Sequence, residues 1–193
     1  GIEVIYHASF TDEEALDMLE AHKTEHFIAP GLAWLINTCH NASQWGLTPE
    51  VTRRMGYHRE LEAAVESMKA MRKRGIRILP GGDYGFAWTP HGTNAKDLEY
   101  FVKYVGMSTM EALLSATAWG GPMMRMGKVL GYIREGYLAD ILLVDGDPLA
   151  DITVLQDKSR ILAVMKDGEF HRAPEMHAAA RPLSVSPMTR WAA

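Results

Sequence analysis

Three short β-prone runs in this chain each stop at residues that turn the backbone, and helical spacing follows each of them. The runs are residues 2–6 (IEVIY), 26–29 (HFIA) and 76–79 (IRIL), closed by His7-Ala8-Ser9, Pro30-Gly31 and Pro80-Gly81-Gly82. After the first, Ala15, Leu16, Met18 and Leu19 give a helix its apolar face; before the third, Leu61, Ala64, Val65, Met68 and Met71 do the same. Strands that alternate with helices are joined by crossovers, which makes them parallel neighbours in one sheet covered by helices. The fold class read from this order is α/β.

Local signals set the expected boundaries. Thr11 with Glu14 reads as a capping box, Thr48-Pro49-Glu50 as a helix start with proline in the first turn, and Gly75 as the stop before residues 76–79. Leu98, Phe101, Val102 and Val105 mark another helix with Gly106 as its cap, and Ser108 with Glu111 opens one through Leu113, Leu114 and Ala116. Residues 32–46 mix Trp34, Asn37, Cys39, His40, Asn41 and Trp45 in no clean period and read as a long loop over a pocket. The pattern changes at Gly120-Gly121-Pro122 to short strands and turns: 131–133, 139–144 and 161–166, the last followed by Asp167-Gly168, a two-residue hairpin signal. The expected division is 1–122 for the strand–helix part, 123–172 for a small β segment and 173–193 for a tail.

Composition narrows the function classes. With 193 residues, 47% of them hydrophobic, and a formal charge of −4, the chain can bury a substantial core and shows no basic cluster for nucleic acid. No run approaches the ~20 apolar residues of a membrane span, and no secretion signal stands at the start. Cys39 is the single cysteine, which fits a reducing compartment, so the expected location is cytoplasmic. The chain starts at Gly1, and a targeting segment ahead of it stays open.

Asp83 is the first candidate for chemistry. It stands where a buried strand would deliver a carboxylate, beside glycines that let the chain turn tightly near a ligand. On these residues alone an Asx-type turn is the leading reading. Tyr84, Phe86 and Trp88 either wall a pocket or pack the loop; His91 either meets substrate or caps the helix near Asn94; His40 lines the pocket or is simply exposed.

The series YHASFTDEEALDML, FIAPGL, LPGGDYG, HGTNAKDLEYFVKYVGMSTMEALLSAT, GYIREGYLADILLVDGDPLADI and VMKDGE, in this order over residues 1–169, resembles the carboxyl-terminal half of the amidohydrolase superfamily. It is most similar to the imidazolonepropionase-like and prolidase-like branch. The resemblance implies the last three βα units of a (β/α)8 TIM barrel plus a small β-sandwich segment, an incomplete barrel. It implies His7 as the metal-binding histidine after the sixth strand and Asp83 as the metal ligand and proton shuttle after the eighth, which reverses the order of readings for Asp83. The family's first-strand histidine pair, fourth-strand lysine and fifth-strand histidine have no counterpart in these residues.

The implied activity is metal-dependent hydrolysis of an amide or peptide-like carbon–nitrogen bond, with one or two divalent ions, zinc first. His91, Tyr84, Trp88 and His40 are the substrate-side candidates. A ring or amine deaminase of the same superfamily, or a truncated chain that only binds a partner, are the alternatives. The implied partners are a small-molecule substrate and either a second copy or a complementary N-terminal segment, with no nucleic acid and no membrane; the isolated fragment is expected to be inactive.

Overall fold

The computed structural model describes residues 1–174, so most of the expected tail, with His177, lies outside the described residues. Two sheets organise them. In the first, β1 (Val4–Tyr6) pairs in parallel with β2 (Phe27–Ala29), Val4 opposite Phe27 and Tyr6 opposite Ala29. On the other side of β2, residues 77–79 run parallel to it: Ile28 N–H donates to the Arg77 carbonyl (2.9 Å) and Leu79 N–H to the Ile28 carbonyl (2.8 Å), around an Ile28–Ile78 bridge. The third expected strand is thus present as a single bridge, because Ile76 N–H still goes to Met71 at the end of the preceding helix.

The helices lie as the crossovers require. After β1 comes α1 (Glu13–Ala21); its cap is Asp12, whose carboxylate accepts from Ala15 N–H, while Thr11 Oγ1 donates to the Ala8 carbonyl. The expected Thr11–Glu14 box is therefore shifted by one residue: Thr11 is drawn back into the turn that follows β1. Residues 32–46, expected as a loop, instead fold into α2 (Leu32–His40) and a 3-10 turn, Ser43–Trp45. Leu32, Leu35, Ile36 and Cys39 stack on one side of α2, and Asn37 and Thr38 are buried on another, so the polar positions that mark a surface helix are missing. The Thr48 cap and Pro49 open α3 (Pro49–Arg54), and Gly56 at φ 87° breaks it from α4 (Tyr57–Lys73). Beyond the Asp83 loop, α5 (Lys96–Tyr100) runs into a π turn, Phe101–Val105, closed by Gly106 at φ 77°.

The capping box Ser108–Glu111 opens α6 (Thr109–Ala116) with both reciprocal hydrogen bonds, and the short α7 (Gly120–Met123) follows. The second sheet is antiparallel: β3 (Ile141–Val144), β4 (Ile161–Lys166) and β5 (Glu169–Arg172) in that order. Asp167 (φ 49°) and Gly168 (φ 79°) form the expected two-residue turn, and Asp140 accepts from Asp167 N–H at 2.8 Å. Residues 131–133, expected as a strand, hold none; Gly131 at φ 100° lies against the Thr117 carbonyl, too close for any side chain.

Ile28 and Ile78 enter the main core with Leu32, Met68, Met71 and Phe101, all at most 1% exposed. Period-2 alternation sends Phe27 to the opposite face, where the Arg77 guanidinium lies 3.8 Å above its ring. Across the helical layer, Arg72 donates twice to Glu111 (3.1 and 2.8 Å), tying α4 to α6. Arg72, with Ser108, holds the Glu111 carboxyl down at about 2. A depressed carboxyl stabilises the fold above its unfolded pKa and loses that contribution as pH falls through the folded one. Since 37% of this side chain is exposed, solvent screening trims the expected loss in Glu111→Gln to about 1 kcal/mol at neutral pH. Urea unfolding should show that difference shrinking from pH 4.5 toward 2; an unchanged difference would remove the ion pair from the account.

Candidate active site

Both metal-binding candidates stand just past the carboxyl ends of strands in the parallel sheet, with β2 between them. His7 follows β1 and keeps the ladder going, its amide donating to the Ala29 carbonyl at 2.8 Å. It then turns left-handed, with φ 66° at His7 and 57° at Ala8. Asp83 follows residues 77–79 and takes φ 58°. For residues other than glycine such backbone is uncommon, and aspartate and histidine are among those that tolerate it best. Both side chains are exposed.

Glycines make the close approaches that these turns need. A Cβ on Gly31, itself at φ 66°, would lie 2.5 Å from His7 Nδ1, so the imidazole rests directly on the Gly31 backbone. Gly31 N–H in turn donates to the Gly81 carbonyl (2.8 Å) and Trp34 N–H to the Gly82 carbonyl (3.0 Å), which fastens the Asp83 loop to the start of α2. Beyond Asp83, its own carbonyl accepts from Thr89 Oγ1 at 3.2 Å and Gly85 pairs with Thr89.

The aromatic residues of the loop pack against α2 and its following turn. Trp88 stacks on Phe86 at 5.5 Å, meets Trp34 and Trp45, and donates its indole N–H to Thr38 Oγ1 at 2.9 Å. Packing is thus what Phe86 and Trp88 do, yet Trp88 also borders a cleft of about 340 Å³ with Asn37, Asn41, Trp45, Pro90 and Lys96. His91 is exposed over Gly85, and among the described residues the helix after it is capped by neither His91 nor any other side chain. His40 ends α2 edge-on to His58 at 5.8 Å and does not line that cleft.

Tyr84 points inward, donating its hydroxyl to Asp97 Oδ1 at 3.0 Å. Asp97 is the residue that sequence reasoning missed. It is 2% exposed, and its other oxygen accepts from Gly81 N–H at 3.0 Å. One acidic residue among the polar positions of a helix start gives no signal; its partners lie 13 and 16 positions upstream.

Imidazole and carboxylate are the donor types a zinc-like ion takes, and His7 and Asp83 fit such an ion in kind. In number they do not complete a site: among the described residues no three His, Cys, Asp or Glu side chains converge on one point. No helix among those residues is long and apolar enough to cross a membrane.

The amidohydrolase family model matches residues 2–170, nearly the whole described chain. The chain belongs to the amidohydrolase family. This amidohydrolase is 29% identical over 180 residues to ochratoxinase from Aspergillus niger, a match that spans 90% of the chain and 35% of ochratoxinase. Among solved structures it superposes with a TM-score of 0.75 on a Xaa-Pro dipeptidase with methionine bound in its active site, at 29% identity, covering 90% of this chain and 40% of the dipeptidase. A prolidase complexed with N-methylphosphonate-L-proline matches at TM-score 0.75 and 25% identity, over 90% and 41%. The chain thus spans well under half the length of these relatives.

In this amidohydrolase, burial pushes the Asp97 carboxyl up to about 6, against the hydrogen bonds from Tyr84 and Gly81 that favour its charge. A carboxyl raised in the fold contributes stability that is complete below the unfolded pKa and lost as pH rises through the folded value. Ionising Asp97 should therefore cost the fold about 3 kcal/mol between pH 4 and 7, to order of magnitude. Asp97→Asn carries no such cost, so its stability relative to the parent should rise by up to that amount over this range in urea melts. A pH-independent difference would contradict the burial argument.

Proposed function

We propose that this amidohydrolase chain supplies part of the active site of a zinc-type metal-dependent hydrolase of amide or peptide-like bonds. His7 is a metal ligand in this reading, and Asp83 a metal ligand and proton carrier. The observation that carries it is the pair itself: exposed, left-handed His7 and Asp83 past the carboxyl ends of strands that flank one central strand. Ligand-binding side chains of parallel α/β sheets and barrels gather at that end.

When bound, such an ion supplies Lewis acidity toward the carbonyl and a nucleophilic water at neutral pH. The chain's own residues do the rest. Asp83 accepts the proton of the attacking water and returns it to the leaving nitrogen, so the amine departs neutral. His7 holds its ring against Gly31 and presents an imidazole nitrogen. The cleft beside Trp88, with the Asn37 and Asn41 amides, two indoles and Lys96, takes the substrate's apolar and polar groups; His91 stands exposed on the same loop beyond Trp88, whereas Tyr84, turned inward to Asp97, is not assigned a substrate role. His40, away from the cleft, is not assigned a substrate role.

We place residues 1–122 as strands six to eight of a (β/α)8 barrel, 123–172 as a small β-sandwich segment and 173–193 as a tail. Support comes from the open edges: the Ile78 amide and carbonyl, which face away from β2, meet no backbone partner among the described residues. In this reading the remaining ligands come from polypeptide outside residues 1–174, and these residues alone are inactive. The lone, buried Cys39 supports a reducing, cytoplasmic setting.

The test is to express the chain with whatever coding sequence precedes Gly1, measure zinc content, and assay Xaa-Pro dipeptides and N-acyl amino acids. Stoichiometric zinc and a hydrolysis lost to a chelator and restored by zinc are expected. A protein that retains its native fold yet binds no divalent metal would end the hydrolase reading.

A further inference from the structure

Asp97 sits under the Asp83 loop in a way that the reaction described above does not use. Its two carboxylate oxygens take the Gly81 amide and the Tyr84 hydroxyl, each at 3.0 Å, one anchor on either side of Asp83. Between them Gly82 has no room for a side chain: a Cβ there would press into Asp97 Oδ1, the Tyr84 ring and Ala33. Tyr84 also reaches the Asn94 carbonyl at 3.4 Å, so the loop is held at one further point, just ahead of α5. Asp83, at φ 58°, is the strained residue that this frame spans. Strained backbone of this kind persists when its surroundings over-determine it.

Resting on the hydrolase reading, we infer that Asp97 is a positioning residue: it fixes the backbone before and after Asp83 and so sets the direction in which the Asp83 carboxylate meets the metal. Asp97 is not itself a ligand, since it is 2% exposed and both its oxygens are committed. The role needs two hydrogen bonds and not the charge. Asparagine can keep both: its oxygen accepts from Gly81, its amide donates to the Tyr84 oxygen, and the tyrosine proton turns to Asn94. Alanine keeps neither. Tyr84→Phe loses one and retains the ring that packs against Gly82.

The experiment is Co²⁺ titration of the protein expressed with its preceding coding sequence, read by the visible d–d absorption of the bound ion and by its dissociation constant. Partners behind a ligand typically tune affinity by about 10- to 100-fold. Asp97→Ala should weaken Co²⁺ binding within that range and alter the band shape, Tyr84→Phe should do so by less, and Asp97→Asn should restore both toward the parent. Should Asp97→Ala fail to fold, Tyr84→Phe and Asp97→Asn decide the matter. A parent affinity and spectrum in folded Asp97→Ala or, failing that, in Tyr84→Phe, would overturn the positioning role while leaving the hydrolase intact. A parent protein that takes up no Co²⁺ would overturn the metal reading, and the positioning role with it.

Discussion

Asp83→Asn should lower kcat/KM by about 10³-fold or more in the complete enzyme while leaving the thermal midpoint nearly unchanged. Asparagine has the same shape and shares aspartate's tolerance for the left-handed backbone found here, φ 58°, so the fold has little reason to respond. The two contributions proposed for the carboxylate, a charged metal contact and a proton carrier, would both be removed. General acid–base catalysis alone is worth about 10²–10⁴-fold, and a lost ligand adds to it. Kinetics with a matched melting curve separates this from unfolding. Full activity in Asp83→Asn with bound metal would take the proton-carrier role away from Asp83.

Gly82→Ala is the substitution expected to damage the site through the fold. The added methyl would stand 2.5 Å from Tyr84 Cε2 and 2.7 Å from Ala33 Cβ, with Asp97 Oδ1 closer still. None of these can step aside easily: Ala33 belongs to α2 and is fully buried, and Asp97 and Tyr84 hold each other. Overpacking of this kind costs about 1–3 kcal/mol, and here the upper end is expected because three neighbours are struck at once. Gly120→Ala is the control, since among the described residues nothing lies within 4 Å of where its Cβ would stand and it sits in a helical turn; there alanine should be neutral or slightly stabilising. Chemical denaturation of both variants checks the contrast. Equal stabilities would mean that the close approach at Gly82 does not constrain the loop.

What could be read from the sequence was local. The Ser108–Glu111 box, the Thr48–Pro49 start, the Gly106 stop and the Asp167–Gly168 hairpin each depend on residues a few positions apart, and each is found as expected. Helix α2 was not legible because it is buried on several sides. Asn37 accepts from the Tyr100 hydroxyl and Thr38 from the Trp88 indole, 63 and 50 positions away, so polar residues that look like a loop are satisfied inside the core. The same holds for Asp97. Its meaning comes from Gly81 and Tyr84, which the chain brings back only after the whole loop has turned. His7 and Asp83 were legible as strand-end residues, whereas their left-handed backbones and the seat of His7 on Gly31 appear only in three dimensions.

The most direct measurement is diffraction at the zinc absorption edge from crystals of the protein expressed with its preceding coding sequence and grown with zinc. An anomalous peak is expected within coordination reach of both the His7 imidazole and the Asp83 carboxylate, with further ligands arriving from residues outside 1–174. A peak that lies away from this pair, or an ordered His7 and Asp83 with no metal between them at saturating zinc, would contradict it.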